Sequence, residues 1–197
     1  PIPDYLDALA SVEPALWLDD SHGVGGLGER GRGTYEHHGL TSARFFFGGT
    51  LSKAFGSYGG IIPGGRSFIQ TIRAGHVMNG ATSPTSSAAA WALASIELLT
   101  QHPEWRRQLW SNARRLKAGL RQMGFAVEDS PVPIAAWTLG SPEQMDRVQG
   151  ELMRRGICIQ RAQYPGGGAA GVLRAVVFSS HTAEQIDRLL AELSRLV

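Results

Sequence analysis

Three short apolar runs in the first third of the chain predict buried strands. Residues 15–18 are apolar and stop at two aspartates, which is typical of a strand buried on both faces. Residues 44–47 contain three phenylalanines and continue into glycines and Thr50, and residues 58–62 form the third run. A glycine-rich loop over 23–33 follows the first predicted strand.

Helical spacing covers much of the remaining sequence. It predicts a helix at the start of the chain and further helices over about 66–75, 84–101 and 103–123. Gly124 directly follows the last of these and predicts its end.

The last third of the chain predicts a small α+β domain. Strand-like runs occur at 133–139, 157–161 and 173–179, and capping-box patterns at Ser141 and Thr182 open two helices. Strands and helices that alternate in this way build a layer with its own core. We therefore predict a division into residues 1–101, a connecting helix over 102–129, and a C-terminal domain over 130–197.

Composition and charge set only broad limits. The chain has 197 residues, of which 43% are hydrophobic, and its 19 basic and 17 acidic side chains give no argument for nucleic-acid binding. No apolar run is long enough to cross a bilayer, and the first residues lack the pattern of a signal peptide. The single cysteine, Cys158, excludes an internal disulfide and a cysteine-based metal cluster, so we expect a cytoplasmic protein.

Polar residues after the first predicted strand are candidates for chemistry. Residues 23–28 match the dinucleotide-binding pattern G-x-G-x-x-G, but Gly31 and Gly33 leave no room for the helix that this pattern requires. Asp19 and His22 stand at the carboxyl end of the strand, where ligands of α/β sheets bind. A carboxylate there neutralises a cationic ring nitrogen and an imidazole donates to a phenolate; a helix cap or a buried ion pair is the alternative.

A lysine stands just after the second predicted strand. Lys53 follows Thr50 and Ser52 among phenylalanines, alanine and glycines, an apolar setting that desolvates an amine and makes it nucleophilic. The two hydroxyls suit a phosphate group. A surface lysine with a buried stem is the alternative.

Asp19, His22 and Lys53 together fit one cofactor. An aspartate for a pyridinium nitrogen, a histidine for the neighbouring oxygen and a lysine for an aldehyde are what pyridoxal phosphate requires. A metal site is not favoured, because no third ligand stands at a supporting spacing.

The chain resembles the α-oxoamine synthases, a branch of the fold-type-I pyridoxal-phosphate enzymes. The stretches that carry the resemblance are Leu18-Asp-Asp-Ser-His-Gly23, Leu27-Gly-Glu-Arg-Gly-Arg-Gly33, Thr50-Leu-Ser-Lys-Ala-Phe-Gly56, Gly80-Ala-Thr-Ser-Pro84 and Leu173-Arg174. The resemblance implies an α/β fold: the C-terminal part of a fold-type-I large domain, followed by a small α+β domain.

The resemblance also implies how the cofactor is held. Asp19 is expected to pair with the pyridine nitrogen and His22 with O3′ of the cofactor. Lys53 is expected to bind the cofactor covalently and to act as general base at the substrate Cα. Thr50, with Ser52 beside it, is expected to contact the phosphate.

Further roles follow from the same resemblance. Thr82 or Ser83 is expected to reach the phosphate in a neighbouring subunit, which implies a homodimer with shared active sites. Arg174 is expected to bind the carboxylate of the amino acid as a two-pronged donor. We interpret His181 as structural because it stands beside a helix start, and we assign no role to His76.

The implied reaction joins an amino acid to an acyl-CoA, with release of CoA and CO₂, and gives an amino ketone. An aminotransferase of the same fold is one alternative, and a non-catalytic interaction subunit that retains the fold is another. The chain corresponds to roughly the C-terminal half of a family member, so we expect a fragment of a longer protein. Ser21, at a position that is often alanine, and the glycines at 166–168 depart from the family pattern.

Overall fold

The chain folds into two compact units, Pro1–Pro103 and Glu104–Val197. The computed structural model describes residues 2–163 and 167–197. Gly166, the first glycine of the loop expected before Arg174, lies outside the described residues.

The first unit is built around a three-stranded sheet. Its elements are α1 (Ile2–Ala8), β1 (Leu16–Asp19), α2 (Thr34–His37), β2 (Phe45–Thr50), β3 (Gly60–Ile61), α3 (Arg66–Ala74) and α4 (Ser86–Gln101). The three predicted strands are confirmed, although β3 has only two residues. It is short because the residues before it close a loop, in which Leu51 N–H donates to Gly59 O at 2.8 Å and Ser57 N–H to Leu51 O at 2.8 Å.

The register of this sheet brings two strand ends together. β1 runs parallel to β2 and pairs Asp19 with Gly48, whereas β3 runs antiparallel to β2. Parallel strands have their carboxyl ends at the same edge. The residues after Asp19 and those after Thr50 therefore emerge at one edge of the sheet. A small apolar core supports it, formed by Val24, Leu51, Phe55 and Ala92, with Phe47, Ile61 and Leu99 packed against it.

The second unit is the predicted α+β layer. Its elements are α5 (Pro103–Gln122), β4 (Ile134–Trp137), α6 (Pro142–Arg154), β5 (Gln160–Ala162), β6 (Val172–Val176) and α7 (Ala183–Ser194). The antiparallel sheet has the order β4-β6-β5. Leu116 and Leu120 of α5, Leu152 of α6 and Leu193 of α7 meet in one core. From Glu104 onwards α5 belongs to this unit, and a separate connecting part over 102–129 stays a prediction.

One of the two predicted capping boxes is complete. At the start of α7, Gln185 N–H donates to Thr182 Oγ1 at 3.3 Å, and Thr182 N–H donates to Gln185 Oε1 at 2.9 Å. At the start of α6, Ser141 Oγ accepts from Gln144 N–H at 3.2 Å. The side chain of Gln144 instead accepts from Gly140 N–H, so the prediction of a full box there was wrong by one residue.

In the part of the chain that the structure describes, no helix is both long enough and apolar enough to cross a bilayer.

Candidate active site

Asp19 lies at the edge of the first-unit sheet with its carboxylate exposed. Ser21 donates twice to Asp19 Oδ1, from its backbone N–H at 3.0 Å and from its hydroxyl at 2.6 Å. The hydroxyl and backbone bonds from Ser21 lower the pKa of Asp19 most; partial burial raises it, and the charges of Lys53 and His22 lower it further. The Ser21 bonds therefore favour the ionised form of Asp19.

Asp20, the next residue, points the other way. It is only 3% exposed, because successive side chains of a strand lie on opposite faces. Its Oδ2 accepts from Thr34 N–H at 2.7 Å and its Oδ1 from the Thr34 hydroxyl at 2.6 Å. Because α2 begins at Thr34, Asp20 satisfies a backbone N–H at the start of this helix, in line with the helix-cap alternative raised for this segment.

The glycine-rich loop after His22 is compact. Residues 23–28 are all buried, and Glu36 of α2 accepts from the backbone N–H groups of Arg30 and Arg32. The loop consists of turns up to Thr34, where α2 begins. Gly28 has φ +79°, so the third glycine of the G-x-G-x-x-G match does not enter a helix as a dinucleotide-binding turn requires.

The segment after β2 carries the two predicted hydroxyls. Thr50 Oγ1 lies 2.7 Å from Ser52 Oγ and 3.2 Å from Ser52 N, whose N–H donates to it. Thr50 also donates to Gly59 O at 3.3 Å. The hydroxyls therefore form one pair at the carboxyl end of β2.

Lys53 is exposed in this structure. Its neighbours in sequence predicted an apolar burial for the amine, and that prediction was wrong for this chain. Phe55 is buried at 7% exposure, but it packs into the small core with Val24 and Leu51 and does not cover the lysine. His22 is likewise exposed.

Thr82 and Ser83 lie in the exposed segment that leads into α4. A Cβ added at Gly59 would stand 3.2 Å from Pro84 Cγ, and Ser57 Oγ donates to Ala88 O at 2.7 Å. The segment therefore runs beside the loop that receives the Thr50 hydroxyl bond.

Arg174 belongs to the second unit. It stands in the middle strand of that sheet, with Ala136 on one side and Gln160 on the other. With Cys158 and His181 it lines a cleft of about 530 Å³. The neighbours of Arg174 in the strand, Leu173 and Ala175, are buried in the core, so its side chain faces away from that core.

His181 closes the turn after β6. Its Nδ1 accepts from Phe178 N–H at 3.2 Å, and Asn112 of α5 donates to Phe178 O at 2.9 Å and to His181 O at 2.8 Å. These contacts support the structural interpretation of His181, and the turn explains why β6 ends at Val176 and not near 179. His76 is exposed in a short 3₁₀ turn.

Three polar residues that shape these sites were not among the predicted ones: Ser21, Asp20 and Asn112. An Asp-x-Ser pattern is a known local turn in which the side chains and backbone bond two residues apart, so the Ser21 contact had a signal in the sequence. The other two residues act over long sequence separations and had none. Within residues 2–163 and 167–197, no group of three or more His, Cys, Asp or Glu side chains is arranged to hold a metal ion.

Comparison with known proteins gives one family. A family model described as aminotransferase class I and II matches residues 8–193. The 8-amino-7-oxononanoate synthase of Alkaliphilus oremlandii is 33% identical over 190 residues, which is 95% of this chain and 48% of that protein. The chain thus spans about half the length of the curated relatives that it matches.

Solved structures support the same family. A high-resolution structure of SPT with a PLP internal aldimine matches with a TM-score of 0.88 and 30% identity, over 100% of this chain and 50% of that one. Serine palmitoyltransferase from Sphingomonas wittichii matches with a TM-score of 0.85 and 28% identity, over the same shares. The predicted α/β fold of the fold-type-I pyridoxal-phosphate enzymes is therefore confirmed.

Proposed function

The chain belongs to the aminotransferase class I and II family, and within it to the α-oxoamine synthases, and from this membership we propose that it forms the catalytic part of a pyridoxal-phosphate-dependent acyltransferase. The enzyme would join an amino acid to an acyl-CoA, giving an α-amino ketone, CoA and CO₂. The family of the chain and the side chains at the edge of the first-unit sheet both support this activity.

The side chains at that edge fit pyridoxal phosphate by their chemistry. Asp19 offers a carboxylate whose pKa is lowered by the Ser21 bonds and then by the charges of Lys53 and His22. Thr50 and Ser52 offer paired hydroxyls, and Lys53 offers a primary amine. An anion, an amine and hydroxyl donors are the groups that a pyridinium nitrogen, an aldehyde and a phosphate require.

Pyridoxal phosphate, when bound, supplies an electron-withdrawing ring that stabilises negative charge at the substrate Cα. Asp19 would accept a hydrogen bond from the protonated ring nitrogen; both Ser21 bonds end on its Oδ1. His22 would donate to O3′. Lys53 would hold the aldehyde of the cofactor through its amine, and the same amine would serve as the general base for the Cα proton of the substrate.

Three further residues complete the assignment. Thr82 or Ser83 would contact a phosphate in the neighbouring subunit of a homodimer, and Arg174 would bind the carboxylate of the amino acid. A guanidinium suits that task because it donates two parallel hydrogen bonds. We further propose a cytoplasmic setting, which the exposed free thiol of Cys158 favours.

One observation carries the proposal: Asp19 ends β1, and Lys53 follows β2, the strand that runs parallel to β1, so both residues stand at the same edge of the sheet. The parallel pairing of β1 and β2 creates this proximity. A cofactor that needs a carboxylate at one end and an amine at the other would find both at this edge.

The test is borohydride reduction of the natural polypeptide that carries this chain, after incubation with pyridoxal phosphate, followed by peptide mapping. We expect a phosphopyridoxyl group on Lys53 and no such product in Lys53→Ala. Release of CoA with amino acids and acyl-CoAs then distinguishes condensation from transfer of the amino group to a keto acid. Absence of an adduct at Lys53 would refute the proposal and favour a non-catalytic subunit.

A further inference from the structure

Asp20 is a buried carboxylate that the proposed chemistry does not use. It is 3% exposed, and both of its oxygens accept from Thr34, the first residue of α2. We propose that Asp20 is a positioning residue, which closes the glycine-rich loop and thereby fixes Asp19 and His22 at the edge of the sheet. The consequence for cofactor binding rests on the proposed function, whereas the effect on His22 does not.

The backbone groups of Asp20, like its side chain, form hydrogen bonds that hold the loop in place. Its N–H donates to Gly48 O at 2.8 Å, and its carbonyl accepts from Gly23 N–H and Val24 N–H at 3.0 Å each. Asp20 thus joins β2, the beginning of the loop and, through Thr34, the end of the loop. A single residue therefore bonds to β2 and to both ends of the loop.

The loop packs directly against the carboxylate of Asp20. A Cβ added at Gly23 or Gly33 would overlap its oxygens, and Gly33 also has φ +93°, a conformation that other residues rarely adopt. Two glycines from opposite ends of the loop therefore enclose the same carboxylate. Such close contact on both sides limits how far the loop can move relative to β1.

A second carboxylate, that of Glu36, stabilises the loop through hydrogen bonds that do not involve Asp20. Glu36 accepts from Arg30 N–H at 3.1 Å and from Arg32 N–H at 2.8 Å, and these bonds lie within the loop and α2. Glu36 therefore maintains the shape of the loop itself. Asp20 determines where the loop sits with respect to the strand that carries Asp19.

His22 lies between two fixed points, Asp20 and Gly23. When the Asp20 side chain is removed, Thr34 N–H loses its buried acceptor, which is costly unless the loop moves. A shift of the turn over 20–24 would carry His22 with it and would alter the Ser21 bonds to Asp19. The ring contacts proposed for Asp19 and His22 would then weaken together.

Three variants separate geometry from charge. Asp20→Asn keeps an acceptor for Thr34 N–H, and its amide can donate to the Thr34 hydroxyl once that hydroxyl turns. Thr34→Val removes the hydroxyl bond and keeps the backbone bond. Asp20→Ala removes both. Asn and Ala lose the same charge, so a difference between them reports geometry.

The first measurement is made without cofactor, on the natural polypeptide that carries this chain. The imidazole resonances of His22 are recorded by ¹⁵N NMR and assigned with His22→Gln. We expect Asp20→Ala to shift them clearly, Thr34→Val to shift them less, and Asp20→Asn to leave them close to those of the unsubstituted protein. Equal shifts in Asn and Ala would refute positioning, because loss of charge would then explain both.

The second measurement is the dissociation constant of pyridoxal phosphate, taken from quenching of tryptophan fluorescence. We expect an increase of about tenfold or more for Asp20→Ala, the scale at which the partners that orient a bound group act, and only a small change for Asp20→Asn. A lower melting temperature with unchanged His22 resonances and affinity would show a merely structural role. If the unsubstituted protein does not bind pyridoxal phosphate, the proposed function fails while the NMR result still decides this inference. If Asp20→Ala does not fold, the comparison of Asp20→Asn with Thr34→Val decides it.

Discussion

Ser21 holds Asp19 with two donors: its backbone N–H at 3.0 Å and its hydroxyl at 2.6 Å both reach Asp19 Oδ1. These two bonds lower the pKa of Asp19 more than the neighbouring charges of Lys53 and His22 do. A ring nitrogen keeps its proton best beside a carboxylate that stays ionised. Ser21 therefore supports the electrostatics of the proposed site without touching the cofactor.

Ser21→Ala is expected to narrow the pH range of cofactor binding on the acid side. The pKa of Asp19 is lowered in the folded protein, so the ionised form persists above that pKa and is lost as the pH falls through it. Loss of the hydroxyl bond raises this pKa towards its usual value of 3.8. Binding should then fail at a higher pH than in the unsubstituted protein.

The measurement is the affinity for pyridoxal phosphate as a function of pH. Ser52→Ala is the matched control, because it removes a hydroxyl that bonds to Thr50 and Ser52 is not among the groups that shift the pKa of Asp19. We expect it to change the affinity at every pH and to leave the acid limit where it was. An unmoved acid limit in Ser21→Ala would contradict the role of this bond.

Arg174→Lys is expected to weaken binding of the amino acid. A lysine keeps the charge but offers no planar pair of donors to a carboxylate, so KM for the amino acid should rise about tenfold, as for the loss of a hydrogen bond to a charged group. The affinity for pyridoxal phosphate should not change. Arg188→Lys is the control, because it alters another arginine of the same cleft, and it should leave KM unchanged. If KM for the amino acid rises by a similar factor in both variants, a specific contact between Arg174 and the substrate is contradicted.

The sequence predicts the strands and their ends well, because apolar runs that stop at polar residues are local signals. Asp19, Thr50 and Lys53 were found in this way. The sequence does not show that Asp19 is exposed while Asp20 is buried. This difference depends on Thr34, which lies 14 positions after Asp20 in the chain. A pattern of residues does not show which carboxylate the loop will enclose.

The exposure of Lys53 shows that burial of a side chain could not be predicted from its neighbours in sequence. Phenylalanines next to a lysine in the chain do not bury it when they alternate between the faces of a strand or enter a separate core. Phe55 packs with Val24 and Leu51, while Lys53 faces solvent. Burial is decided by neighbours in space, and these are set by the sheet and the loops around it.

Leu152→Ala tests the core of the second unit. Leu152 has no exposed surface, and its truncation should lower the free energy of unfolding by about 2–5 kcal/mol through lost burial and the cavity left behind. Met153→Ala is the matched control, because Met153 is the next residue of α6 and is 50% exposed; it should change stability by less than about 0.5 kcal/mol. Urea unfolding of both variants gives the comparison, and equal losses would mean that α6 is packed in a different register.

Lys117→Met tests a buried amine in α5. Lys117 is 2% exposed, and its Nζ donates to Ser130 O at 2.8 Å and to Ser130 Oγ at 2.9 Å. Burial lowers the pKa of Lys117, while the charges of Glu128 and Asp129 raise it and that of Arg121 lowers it. The folded state therefore releases the proton at a lower pH than the unfolded state, whose lysine keeps the usual pKa of 10.5.

The sign of the pH dependence follows from this difference. Between the two pKa values the unfolded chain binds more protons, so stability contributed by Lys117 rises with pH up to about 10.5. Lys117→Met should remove that alkaline rise. Arg114→Met, an exposed position on the same helix, should retain it. Urea unfolding at a series of pH values from neutral to alkaline measures how the free energy of unfolding changes with pH. If the alkaline rise persists in Lys117→Met, another group causes it. Folding then does not lower the pKa of Lys117, and the Ser130 contacts hold its charged form.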